Sequence, residues 1–166
     1  DWSSDVCSSD LVGTDLWIEK KVAGGAADPK EHFTFVLTKT SLAGTSYSVS
    51  YEGIAENDGA GHQETLTFDG NGVARLSLKN GEKARILQMP SGDVQIKEEN
   101  GDYVTKVTVN GISEKYSDAS GIKIQLSSEK TELVFTNQLD PQPPTGAELL
   151  SVPYWLMGGT ALAGLL

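Results

Sequence analysis

Val73–Gly111 reads VARLSLKNGEKARILQMPSGDVQIKEENGDYVTKVTVNG. It holds strand-like runs at Val73–Lys79, Glu82–Leu87, Asp93–Glu99 and Tyr103–Val109, rich in β-branched residues and alternating in polarity. Between them stand Asn80-Gly81, Pro90-Ser91-Gly92, Asn100-Gly101 and Asn110-Gly111, the residue pairs that tight hairpin turns require. Working outward, the same rhythm continues. Asp15–Ala23, His32–Thr40, Ser46–Tyr51 and Glu64–Asp69 precede the stretch, and Ile122–Ser127 and Glu132–Asn137 follow it. Gly24–Lys30 is a small polar connection and Ile54–Gln63 a Gly-rich loop. Many short strands with such punctuation predict an all-β sandwich or barrel.

The chain has 166 residues, enough for one domain with tails, and a formal charge of −10. An acidic chain of this kind lacks the clustered basic face that nucleic acid demands. Asp1–Asp10, DWSSDVCSSD, together with Leu11, resembles the translation of a common short-read sequencing adapter. Residues 1–11 are therefore set apart from the fold, which is expected over 12–139. The coding sequence then reads as an assembled fragment cut at its N-terminus. Cys7 belongs to this segment, so the domain itself has no cysteine and no disulfide.

Asp140–Pro144, DPQPP, ends the domain, because prolines cannot join a strand ladder and favour an extended linker. The linker is placed at 140–148. Leu149–Leu166 carries no charged residue and is near the lower limit for a membrane-spanning helix. It is read as a hydrophobic membrane segment whose basic tail is missing.

Alternation within the strands exposes an oddity. Leu16, Ile18, Lys20 and Val22 share one face, and three of them are apolar, so Lys20 points into the core. By the same phase Glu98 extends the face of Val94 and Ile96, and Asn137 that of Leu133 and Phe135. Lys21 faces outward. An inward lysine, glutamate and asparagine on three strands should meet, since an unpaired buried charge is expensive.

No Cys or His cluster has metal-ligand spacing, and neither a Ser-His-Asp set nor a phosphate loop can be argued. No cofactor or metal is expected. His32 opens a strand, and His62 lies in the Gly-rich loop. Asn57-Asp58-Gly59 is read as a plain turn, far short of a calcium loop.

Gln142–Gly146, QPPTG, resembles the sortase recognition pentapeptide, usually Leu-Pro-X-Thr-Gly, and it directly precedes the apolar segment. Gln142 departs from the usual Leu, while Pro143, Pro144, Thr145 and Gly146 fit the pattern. The resemblance implies cleavage between Thr145 and Gly146 and transfer of Thr145 to an amine. That amine belongs to a peptidoglycan precursor or to a lysine of a neighbouring pilin subunit.

A second resemblance covers Asp15 to the chain end. DLWIEKKVAGG with HFTFVLT, then ARLSLKNGEKARILQMPSGDVQIKEENGDY, then LVFTNQ, resembles the backbone-pilin and collagen-adhesin B-type domains of Gram-positive cocci. Val94 stands where an aromatic is common, and Leu87-Gln88-Met89-Pro90 replaces the more frequent Gly-Leu-Pro. The family implies an immunoglobulin-like β-sandwich with a self-formed Lys–Asn isopeptide bond promoted by an acid. Lys20 and Asn137 fall on the bonded positions and Glu98 on the promoting one. The expected function is structural and not enzymatic: a secreted, cell-surface pilin subunit or wall-proximal stalk, with sortase as its partner. Two alternatives stand beside it. One is an adhesin module gripping a host protein or carbohydrate, for which Trp17 and Tyr51 are the only aromatic hints. The other is the stalk of a wall-anchored enzyme.

Overall fold

A computed structural model describes residues 13–53, 62–99 and 101–141. The adapter-like segment, the sorting motif Gln142–Gly146 and the apolar segment Leu149–Leu166 lie outside the described residues, as does most of the Ile54–Gln63 loop.

Among the described residues, eleven strands form two facing sheets. In chain order they are β1 (Thr14–Ala23), β2 (Phe33–Thr38), β3 (Ser46–Glu52), β4 (His62–Thr67), β5 (Val73–Leu78), β6 (Lys83–Met89), β7 (Gly92–Glu99), β8 (Val104–Val109), β9 (Ile112–Glu114), β10 (Ile122–Leu126) and β11 (Thr131–Gln138). The larger sheet runs β4-β3-β6-β1-β11-β8-β9 and the smaller β10-β7-β2-β5. Strand and turn spacing left a sandwich or a barrel, and the architecture found is the two-sheet sandwich that the family resemblance implied. The helical content among the described residues is one 3-10 turn, Thr40–Leu42, which buries Leu42. No helix among them is long and apolar enough to cross a membrane.

Inward-facing residues of both sheets fill the space between them. Leu16, Ile18, Ile86, Leu133 and Phe135 from the larger sheet pack with Phe33, Phe35, Leu37, Leu78 and Ile96 from the smaller. Phe35 meets Phe135 edge-on across the gap, with ring centroids 5.0 Å apart. The turn chemistry works as its residues dictate. Asn110 (φ 50°) and Gly111 (φ 81°) both adopt the left-handed conformation, which a two-residue hairpin between β8 and β9 requires.

The topology places the chain ends. β1 and β11, the first and last strands, are central neighbours in the larger sheet and pair parallel, Leu16 beside Thr131 through Ala23 beside Gln138. Parallel neighbours cannot be joined by a hairpin. The chain instead travels through every other strand before β11 returns beside β1.

Two sequence expectations are corrected and one strand is added. His62 does not sit in a loop: it opens β4 and contacts Glu64 at 2.7 Å. His32 precedes β2, which begins at Phe33. β9 was not anticipated.

Candidate functional site

Strand phase delivers a lysine, a glutamate and an asparagine to the interior. On β1 the buried positions are Thr14, Leu16, Ile18 and Lys20; on β7 they are Val94, Ile96 and Glu98; on β11 they are Thr131, Leu133, Phe135 and Asn137. Lys20 is 0 %, Glu98 1 % and Asn137 0 % exposed. Lys20 and Asn137 come from adjacent strands of the larger sheet, and Glu98 descends on them from the smaller one.

The three residues meet at one oxygen. Glu98 Oε1 lies 2.5 Å from Lys20 Nζ and accepts a hydrogen bond from Asn137 Nδ2 at 3.0 Å. Lys20 Nζ also sits 4.0 Å from the centroid of the Phe33 ring. The Lys20–Glu98 contact lacks the direction of a hydrogen bond, and Glu98 Oε2 has no hydrogen-bond partner among the described residues. A charged pair in this state is poorly compensated for its lost hydration. Burial accordingly pushes the Lys20 ammonium down to about 8, against the opposing pull of Glu98. Burial pushes the Glu98 carboxyl up, against Lys20 and the Asn137 amide. Both shifts favour the neutral amine facing the neutral acid.

The surroundings hold these groups in place. The Tyr116 hydroxyl accepts from Glu98 N at 3.0 Å and donates to Glu98 O at 3.3 Å. Burial raises the Tyr116 phenol to about 12, so it stays a neutral partner. The Tyr116 ring packs edge-on against Phe135 at 5.7 Å. On the other side of the amide, Thr105 Oγ1 donates to Asn137 Oδ1 at 3.0 Å. An amine, an acid and a carboxamide thus share a solvent-excluded compartment, the components of an amide-exchange reaction that would release ammonia.

Sequence phase found Lys20, Glu98 and Asn137 and missed Phe33, Thr105 and Tyr116. Phe33 looks like ordinary core, and Tyr116 lies outside any strand. Lys39 was also missed: it is 6 % exposed, and its Nζ donates to the backbone carbonyls of Ser91 (3.1 Å) and Asp93 (3.2 Å). Those acceptors make Lys39 a brace for the β6–β7 turn, whereas Lys20 faces an acid and an amide. Lys21 is 54 % exposed and pairs with Glu19 on the outer face, in keeping with its outward phase.

The aromatic hints of a binding surface resolve differently. Tyr51 is buried. Trp17 lies under Arg85 and Lys130, 5.0 and 4.7 Å from its ring, with Lys83 at 5.8 Å. No group of metal-ligating side chains occurs among the described residues.

The family model described as Domain of unknown function (DUF7601) matches residues 14–139. The chain belongs to this family. Its match coincides with the sandwich from the start of β1 to just beyond β11. A curated pilin of Streptococcus pyogenes serotype M1 is 28% identical over 165 residues, spanning 94% of this chain and 48% of that protein. The pilus tip adhesin Cpa of Streptococcus pyogenes is 33% identical over 131 residues, spanning 79% of this chain and 18% of the adhesin. The chain therefore spans about half or less of the curated relatives it matches. Among solved structures, the major pilin of Streptococcus pyogenes superposes with a TM-score of 0.65 at 23% identity, covering 78% of this chain and 48% of the pilin. A pilus-presented adhesin, Cpa, gives 0.58 at 23% identity, covering 78% and 28%. The sandwich is a distant homologue of streptococcal pilin and pilus-adhesin domains.

Proposed function

We propose that this domain is a structural element of a Gram-positive surface fibre or stalk, cross-linked internally by a bond between Lys20 Nζ and Asn137 Cγ. The observation that carries the reading is the buried Lys20–Glu98–Asn137 cluster, in which one carboxyl oxygen touches both the amine and the amide. Lys20, as the neutral amine, attacks the Asn137 carbonyl, and ammonia leaves. Glu98 handles the protons. The reaction occurs once per chain, so the domain is not an enzyme.

The mechanical consequence follows from topology. β1 and β11 are parallel, so the chain enters at one end of the sandwich and leaves at the other. With the bond closed, tension entering at Thr14 crosses from Lys20 to Asn137 and exits at Gln138. Residues 21–136 are bypassed and need not unfold under load.

Anchoring completes the reading. In the proposed organisation the sandwich spans 12–139, a Pro-rich linker 140–148 presents QPPTG to sortase, and 149–166 holds that peptide at the membrane. Cleavage between Thr145 and Gly146 would attach Thr145 to the cell wall or to a neighbouring pilin subunit. The likeness to the serotype M1 pilin supports this, because it takes in 94% of the chain and so extends beyond the sandwich.

Proteolysis with tandem mass spectrometry tests the cross-link. The expected product is a branched peptide joining a β1 fragment at Lys20 to a β11 fragment at Asn137. Separate linear peptides with intact Lys20 and Asn137 side chains would refute it. For anchoring, co-expression with a sortase should yield a wall-linked or polymeric form that Thr145→Ala abolishes; equal attachment of the variant would refute the motif.

A further inference from the structure

The Asn137 carboxamide is gripped at both ends by different chemistry. Its nitrogen faces the acid: Nδ2 donates to Glu98 Oε1 at 3.0 Å. Its oxygen faces a hydroxyl: Thr105 Oγ1 donates to Oδ1 at 3.0 Å. The second contact is built into the register, since β8 and β11 pair antiparallel with Thr105 directly opposite Asn137. Thr105 shares the inward phase of Val107, which is wholly buried.

Acyl transfer places different demands on the two ends of an amide. The oxygen gains negative charge as the nucleophile adds, and the nitrogen needs a proton before it can leave. We propose that Thr105 is a catalytic residue of the Lys20–Asn137 condensation, its hydroxyl holding the carbonyl oxygen and stabilising the oxyanion, while Glu98 serves the departing nitrogen. This rests on the cross-link reading above.

The steps balance. A proton passes from the Lys20 ammonium to Glu98, leaving a neutral amine and a neutral acid. The Nζ lone pair forms the bond to Asn137 Cγ, and the carbonyl π pair moves to Oδ1, where Thr105 donates. Glu98 gives its proton to Nδ2 and takes one from Nζ. The Oδ1 pair returns, the Cγ–Nδ2 bond breaks and ammonia departs. Amine and carboxamide have become a secondary amide and ammonia, with Thr105 unchanged and Glu98 left as the neutral acid, holding the proton it first took from the Lys20 ammonium. Glu98 Oε1, in reach of both nitrogens, suffices as the shuttle.

The orientation of the amide is itself part of the role. With Oδ1 held by Thr105, Nδ2 is turned toward the acid. An amide turned the other way would present its oxygen to Glu98 and leave the nitrogen without a proton source.

The test follows closure in time. The full chain is made by cell-free synthesis, quenched in acid at intervals, and weighed intact. Thr105→Val keeps the shape and β-propensity but removes the donor. It should fold and close about 100-fold more slowly, the usual cost of one oxyanion donor. Thr105→Ser restores the donor and should close near the wild-type rate. If Thr105→Val does not fold, Thr105→Ala takes its place. Thr105→Val should also retain the wild-type pH profile, because the acid is still Glu98, whereas Glu98→Gln should lose it. Wild-type closure matched by a folded Thr105→Val would overturn the role of Thr105 and leave the cross-link standing. A folded wild type that never loses ammonia would overturn the cross-link, and the role of Thr105 with it.

Discussion

Lys20 and Asn137 stand two residues out of register on neighbouring parallel strands: Lys20 is paired with Phe135, and Asn137 with Val22. Both point to the inner face, and the carboxyl of Glu98 bridges them from the facing sheet. Two central strands that the chain can connect only the long way round are thus linked through one buried carboxyl oxygen.

The proposed bond would close a loop of more than a hundred residues, so its loss should be felt chiefly through the unfolded chain. Asn137→Ala keeps the Lys20–Glu98 pair and removes the acyl donor. It should restore the ammonia and lower stability by about 4–5 kcal/mol on loop-closure arithmetic. Denaturant midpoints of wild type and variant measure this.

Lys21→Ala should leave the mass of the protein short by one ammonia, as in wild type. Its side chain lies on the outer face beside Glu19 and has no route to Asn137. Loss of the mass deficit in this variant would move the nucleophile to the wrong face of β1.

Closure should depend on pH through the shared proton of Lys20 and Glu98. The reactive pair carries one proton, on the acid, while the amine is free. Lys20 is pushed down to about 8, and above this the pair loses its last proton, leaving no acid for the departing nitrogen. The closure rate should therefore fall as pH rises through about 8, measured as bonded fraction against time in buffers on either side. Glu98→Gln, which has no such proton to lose, should be slow throughout.

The same shift has a stability signature in the unbonded Asn137→Ala variant. Lys20 titrates near 8 when folded and near 10.5 when unfolded, so between these values the unfolded chain binds more protons. Stability should rise with pH across this window, and the penalty should be full below it. The comparison is with a Lys20→Ala, Asn137→Ala double variant, which should lack this rise.

Gly24 follows β1 immediately, with φ +101°, and a Cβ there would strike the backbone of Leu139. Gly24→Ala should destabilise the fold by more than about 1 kcal/mol, since both conformation and space are wrong for a side chain. Thermal unfolding checks this.

Much of this architecture was legible in the sequence, and what was missed has physical causes. Strict alternation on β1, β7 and β11 assigned Lys20, Glu98 and Asn137 to the interior, because a strand has only two faces and their neighbours are apolar. β4 began earlier than expected because its residues from His62 to Thr65 are all exposed, so this part of the edge strand shows no alternation. β9 has three residues, all exposed, too few to display a period. Thr105 was invisible for a different reason. A threonine in a strand is ordinary, and its importance arises only from a cross-strand register that the sequence does not state.

The measurement that bears most directly on the central claim is the intact mass of the folded full chain beside its Glu98→Ala variant. The expected result is a wild type lighter than its sequence by one ammonia and a variant of full mass. A folded wild type of full mass would contradict the account.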